Sequence, residues 1–221
     1  MSIGYIRRNV EDILKEIPSH VKLVAAAKTR SPEEVLEVIS CGIKAIGENY
    51  VQDTVKAFEV IKHSAEWHFI GHLQKNKIKK AVEIFDVIET VDSIELAGNI
   101  QEKCCQINKI MKVFIEINSG REPQKFGVFP ENAVELIKAI SKLNYVKVEG
   151  LMTMGPYSGD PETARPYFSE TKKLFDEIKT KSLRNVDMKY LSMGMTNSYK
   201  VAISEGANIV RIGTKIFGER K

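Results

Sequence analysis

Apolar residues along this chain fall into two alternating patterns. Short apolar runs of strand length occur at 21–27 (VKLVAAA), 44–47 (KAIG), 67–71 (WHFIG) and 85–91 (FDVIETV). Four more follow at 112–118 (KVFIEIN), 146–154 (VKVEGLMTM), 188–194 (MKYLSMG) and 209–214 (IVRIGT). Between the runs lie segments whose apolar residues recur at helical spacing. SPEEVLEVISCG carries helix start and stop signals, with Ser31 as N-cap, Pro32 in the first turn and Gly42 as terminator. PENAVELIKAISKL (130–143) and PETARPYFSETKKLFDEIKTKSL (161–183) also open on proline and acids. A further helix is predicted over 3–17, before the first strand. The strand runs lack strict alternation, as parallel strands buried on both faces do. Eight strands, each followed by a helix, predict an α/β fold, a single (β/α)8 TIM-type barrel domain over 1–221 with an additional N-terminal helix. An open doubly wound sheet is the competing architecture. No linker or low-complexity stretch interrupts the pattern.

Composition narrows the function classes. The net charge of +4 is too mild to point to nucleic acid and suits an anionic small ligand. The basic cluster QKNKIKK (74–80) reads as a solvated helix face, since strand binding would need a longer basic face with interleaved aromatics. Cys41, Cys104 and Cys105 form no C-x-x-C pair, which reads as reduced thiols. The N-terminus lacks the apolar core of a signal peptide, and no apolar stretch is long enough to span a membrane. A cytoplasmic protein without membrane or nucleic-acid partners is expected.

In a barrel the chemistry sits at the C-terminal ends of the strands. The residues there are Lys28 after the first run, Glu48 and Asn49 after the second, and His68 and His72 after the third. Asp92, Ser93, Asn118, Thr153, Ser192 and Arg211 follow the others. Lys28 stands directly behind Ala25, Ala26 and Ala27, so it either reaches past them to water or is held in a site. Gly213 and Thr214 fall between the last strand and a short helix-like end. Backbone N–H groups, a hydroxyl and a helix N-terminus together make an anion cradle, and barrels commonly carry a phosphate site there. The alternative makes Gly213 a turn and Thr214 a cap. LSMGMTNSY supplies a neighbouring loop in which Ser192, Gly194 and Thr196 can help. A phosphate cradle opposite a lysine suits pyridoxal 5'-phosphate (PLP), whose aldehyde forms an imine with an amine. The three alanines would then leave room for a flat ring. Glu48 reads as an electrostatic partner of the lysine. His68 and His72 lack the helical setting of an H-E-x-x-H site, and no metal is expected. Met152, Met154, Met193 and Met195 are expected to pack at strand ends, some of them against the ligand.

AAAKTR, IGENYVQD, WHFIGHLQKNK, TVDS, KFGV, GLMTMGP, LSMGMTNSY and VRIGTKIFGER occur in order from residue 25 to residue 220. Together they resemble the pyridoxal phosphate homeostasis proteins, single-domain members of the alanine-racemase-like barrel type. The resemblance implies that Lys28 is the Schiff-base lysine and that Arg211 faces the pyridine nitrogen. It also implies that Ser192, Gly213 and Thr214 hold the phosphate. Asn49 is implied as a ring-side contact, and Met193 joins the cofactor-binding set. The chain departs from the family's Ser-x-Asp tendency at Thr196, Asn197 and Ser198. Racemases of this fold add a β-rich domain and take a tyrosine acid/base from a partner subunit, whereas this chain stops at Lys221 just after the eighth strand. His72 and Tyr157 are expected to be structural or solvent contacts rather than a second proton donor. The expected function is PLP binding in intracellular vitamin B6 homeostasis without turnover. The expected partners are PLP, free amines or amino acids, and apo PLP enzymes, and the expected state is a monomer. A PLP-dependent racemase-like enzyme and a phosphosugar-binding barrel without PLP are the rivals.

Overall fold

Eight parallel strands close on themselves in the computed structural model, which describes residues 4–156 and 159–219. They are β1 Lys22–Ala26, β2 Ala45–Glu48, β3 Glu66–Phe69, β4 Val87–Val91, β5 Met111–Ile117, β6 Val146–Thr153, β7 Val186–Ser192 and β8 Ile209–Ile212. Each pairs with its sequence neighbour, and β8 returns to pair with β1, with Val24 opposite both Ala45 and Arg211. The barrel is therefore the one that the apolar runs predict, and the open sheet is excluded. Around it lie α1 Gly4–Glu16, α2 Pro32–Ser40, α3 Val51–Ile61, α4 Ile78–Ile84, α5 Ile94–Gln106, α6 Pro130–Ile140, α7 Arg165–Lys179, α8 Tyr199–Ser204 and α9 Thr214–Phe217. Among the described residues, no helix is long and apolar enough to cross a membrane.

Local chemistry explains the helix ends. The Ser31 hydroxyl accepts from the Glu34 N–H at 3.3 Å, while the Glu34 carboxylate accepts from the Ser31 N–H at 2.9 Å, a closed capping box. Gly42 ends the segment at φ +93°, a conformation that side-chain-bearing residues avoid. The stretch at 161–183 differs from its pattern. It forms a 3₁₀ turn at Pro161–Ala164, and α7 then starts at Arg165 and ends at Lys179. Pro166 explains the break, because it has no N–H to donate and fits only in a first turn. The N-terminal helix α1 buries Ile6, Val10 and Ile13 on one stripe. It is tied to the chain's other end by Tyr5 and Asn9, which donate to the carbonyls of Phe217 and Ile216.

Strand parity separates two cores. Leu23, Ala25 and Ala27, with Ile46, Trp67 and Ile88, pack in one large cluster with the helices. Val24, Ala45, Val87, Phe114, Met152 and Ile209 form a separate cluster inside the barrel. Because neighbours along a strand face opposite ways, Glu48 shares the outer face of Ile46. It is buried there, near Asp53 of α3. Burial first, and the Asp53 charge second, push its carboxyl up to about 8.

That position has a consequence for stability. A carboxyl that titrates higher in the folded chain than in the unfolded chain stabilises fully below its ordinary range near 4.5, and the contribution is lost as pH rises towards about 8. At roughly 1.4 kcal/mol per pH unit, wild-type protein loses on the order of 5 kcal/mol across that window. Glu48→Gln should therefore gain on the order of 10–20 °C in melting temperature at pH 8.5 relative to its effect at pH 5. Calorimetry at the two pH values checks this, and an equal effect at both would refute it.

Candidate functional site

The end of β1 makes a tight turn in which the Arg30 N–H donates to the Ala27 carbonyl at 2.8 Å. Thr29, exposed and β-branched, sits in that turn at φ +65°. This region is costly for such a residue. The turn leaves Lys28 half-buried, with its ammonium 4.8 Å from the centre of the Tyr50 ring. Lys28 is thus held at a rim rather than extended into water.

Lys28 lines a cavity of about 540 Å³ over the β1 and β8 side of the barrel mouth. Ala26, Ile70 and Arg211 also contribute to its wall, as do Asn49, Arg30, Gly213 and Thr214. The loop after β6 contributes Met154, Pro156 and Asp160, and the loop after β7 contributes Met195, Thr196, Asn197 and Ser198. A Cβ on Gly213 would stand 3.0 Å from the Ala26 carbonyl oxygen, a tight contact, so glycine eases the close approach of the chain after β8 to β1. No hydrogen bond to a described residue engages the Thr214 hydroxyl.

Arg211 is 4% exposed. Its Nη1 donates to the Ser192 hydroxyl at 2.6 Å and its Nη2 to the Thr153 carbonyl at 2.9 Å. Ser192 in turn donates to Glu89 Oε2 at 2.6 Å, and the guanidinium lies 3.7 Å from that same oxygen. The other carboxylate oxygen of Glu89 is 2.6 Å from His68 Nδ1. Burial alone would raise the Glu89 carboxyl, but His68, Arg211 and Ser192 outweigh it and hold it below the usual range. Burial lowers Arg211, while Glu89 and Glu116 oppose that effect. Burial, with Asp92 adding to it and Arg211 opposing, pushes Glu116 up to about 7.

Lys28, Asn49, Arg211, Gly213 and Thr214 therefore meet around one cavity. Ser192 and Met193 are fully buried and are not part of its lining, and the Ser192 hydroxyl already serves Glu89 and Arg211. Of the three alanines expected to make room, only Ala26 faces the cavity, because strand parity turns Ala25 and Ala27 towards the helices. Glu48 is not the partner of Lys28, since it lies on the outer face and the charge it feels is that of Asp53. His68 lies within β3, inside the barrel, instead of following the strand at the rim. His72 does reach the rim, where its ring stacks on Phe126 at 3.7 Å. Tyr157 lies outside the described residues.

Several rim residues brace loops. Asp92 accepts from the Gly127 N–H, Ser93 caps α5 at Leu96, and the Asn118 amide donates to the carbonyls of Glu122 and Lys125. Thr153 bonds Ile117 and Ser119. Arg30 and Glu89 were not foreseen. Arg30 is hidden in a turn, and Glu89 in an apolar run. The signal for Glu89 is a single carboxylate within VIETV, which in a strand buried on both faces demands a partner.

Comparison with known proteins agrees with the barrel fold. The family described as alanine racemase, N-terminal domain, matches residues 1–221. A pyridoxal phosphate homeostasis protein of Aquifex aeolicus is 47% identical over 201 residues, covering 90% of this chain and 87% of the relative. One from Helicobacter pylori is 38% identical over 202 residues, covering 90% and 88%. Among solved structures, PipY of Synechococcus elongatus with PLP bound matches at a TM-score of 0.87 and 27% identity, over 96% of this chain and 100% of PipY. An alanine racemase of Clostridium difficile matches at 0.78 and 18% identity, over 98% of this chain and 56% of the racemase, a likeness of fold alone.

The strained turn gives a test of how Lys28 is held. Thr29→Gly removes the left-handed penalty of about 1–2 kcal/mol but adds roughly 0.4–1 kcal/mol of unfolded-state freedom. A net gain of about 1–3 °C in melting temperature is expected. A fall instead would mean that the threonine side chain itself holds the turn.

Proposed function

The chain belongs to the pyridoxal phosphate homeostasis proteins, within the alanine racemase N-terminal domain family, and on that premise we propose that it holds PLP as a Schiff base on Lys28. The carrying observation is that Lys28, Arg211, Gly213 and Thr214 line one cavity. Its volume of about 540 Å³ falls in the range of small-ligand sites. The donor set suits the cofactor. An amine stands on one wall, a hydroxyl and a short helix start stand on another, and a buried guanidinium lies between the strands. Bound there, PLP would supply an aldehyde carbon that amines attack and a ring that accepts electrons.

Each residue then has a distinct task. Lys28 forms the covalent link, and Thr214 with the Gly213 backbone receives the phosphate. Asn49 contacts the ring from the β2 side. Arg211 meets the pyridine nitrogen as a pure donor and keeps it unprotonated. Ser192 acts on Arg211 rather than on the phosphate, because its hydroxyl is already committed. Met193 supports the wall from behind.

The protein serves vitamin B6 homeostasis without turnover in this reading. An unprotonated ring is a weak electron sink, which disfavours carbanion chemistry. The ionisable groups lining the cavity among the described residues are Lys28, Arg30, Arg211 and Asp160, and Asp160 caps its own turn at Glu162. Free amines or amino acids would release the cofactor by exchanging with Lys28, and apo PLP enzymes would receive it.

Two experiments test the reading. The purified holoprotein should show a yellow absorption band that borohydride removes, with the added mass mapped to Lys28. Lys28→Ala should lose the band while retaining weaker binding. A band that persists in that variant, or mass on another lysine, rejects the assignment. Amino-acid racemisation abolished by Lys28→Ala would instead reject the absence of turnover. Separately, Thr214→Ala should weaken PLP binding by roughly 1–3 kcal/mol, or about 5- to 150-fold in Kd. An unchanged affinity removes Thr214 from the cradle.

A further inference from the structure

Behind the cavity, charges of alternating sign run through the barrel. Lys22 of β1 reaches Glu66 of β3 at 2.7 Å, and Glu66 lies 3.5 Å from His68 Nε2. His68 Nδ1 meets Glu89 of β4 at 2.6 Å, and Glu89 reaches Arg211 of β8 through the Ser192 hydroxyl of β7. The ring of Phe114 from β5 meets the His68 ring edge-on at 6.3 Å. Glu66 and Glu89 therefore face His68 directly, Lys22 acts on it through Glu66, and Arg211 acts through Glu89.

The geometry favours a charged His68. Its Nδ1 must donate to the Glu89 carboxylate, which is held ionised beside Arg211. Nε2 is fully buried and has no hydrogen-bond partner. It faces the Glu66 carboxylate at an ion-contact distance. A neutral ring would present its lone pair to that carboxylate, whereas an imidazolium presents positive charge to it. The doubly protonated form fits both sides. The two glutamates also raise His68 above its ordinary value against the opposing effect of burial.

Arg211 does not form a direct fork with its counter-ion. One Glu89 oxygen is engaged by His68 and the other by Ser192, and the guanidinium stands 3.7 Å from the latter. We propose that Glu89 and His68 are positioning residues that hold Arg211 through Ser192 and leave its charge directed into the cavity. The inference rests on the reading of that cavity as a PLP site, but the charge on His68 is open to test without any ligand.

Nitrogen NMR of the ligand-free wild-type protein should find both His68 ring nitrogens protonated at pH 7.5. In Glu89→Gln the ring should be neutral at that pH. A neutral His68 in the wild type overturns the inference whatever the cavity binds. With PLP, Ser192→Ala and Glu89→Gln should each raise Kd at least fivefold and shift the absorbance maximum of the bound cofactor, because Arg211 leaves the ring nitrogen. A purely structural network would lower the melting temperature of either variant and leave affinity and spectrum unchanged, which would also overturn it. Should Glu89→Gln fail to fold, Ser192→Ala and the wild-type titration still decide. A wild-type protein that binds no PLP defeats the proposed function, while the NMR result stands independently.

Discussion

A guanidinium sealed inside the barrel is the constraint on which the rest of the structure depends. A buried charge without partners costs several kcal/mol, so Arg211 dictates what neighbouring strands carry. It takes a carbonyl from β6, a hydroxyl from β7 and a carboxylate from β4. Those groups stand at positions 153, 192 and 89, far apart in sequence, and only closure of the sheet brings them together. The closed barrel is thus a condition of the site as much as its scaffold.

The barrel interior divides its work. One part is an apolar plug around Val24, Val87, Phe114 and Ile209, and beside it the polar chain leads to Arg211. The mouth is divided as well. After β4 and β5 the polar side chains brace the loops there, Asp92 across to Gly127 and Ser93 and Asn118 within their own segments. After β1, β2, β7 and β8 they line the cavity instead. Loops that brace themselves can cover a ligand without contributing chemistry, and this accounts for the cavity's off-centre position.

Much of this was legible from residue order. Eight apolar runs located all eight strands because parallel strands buried on both faces need apolar side chains throughout. The run at 85–91 began two residues early, since Phe85 and Asp86 precede β4 and the Asp86 carboxylate accepts from the Trp67 N–H. Lys28, Asn49, Gly213 and Thr214 were readable as a site because each follows a strand. Less legible are Arg30, in its turn, and the residues within strands. A run of apolar letters gives no parity, so Ala25, Ala27 and Glu48 were assigned to the cavity side although their faces point outward. Glu89 and the inward turn of His68 were missed for the same reason. An isolated charge in a doubly buried strand is the one cue that could have revealed them.

The two sides of the cavity differ in how many contacts hold them, and the difference suits the proposed reversible holder. Arg211 is fixed by two direct hydrogen bonds and a nearby carboxylate, and it is almost fully buried. Lys28 sits half-buried on a strained turn, with a ring face as its contact. A charge that selects a ring must not move, because displacement by an ångström gives up much of its electrostatic advantage over water. An amine that forms and releases a covalent bond must swing between linked and free positions. If both groups were rigid, exchange would stall, and if both were loose, the ring would be poorly chosen. On the proposed reading, a preorganised cation and a less tightly held amine would combine selective capture with release.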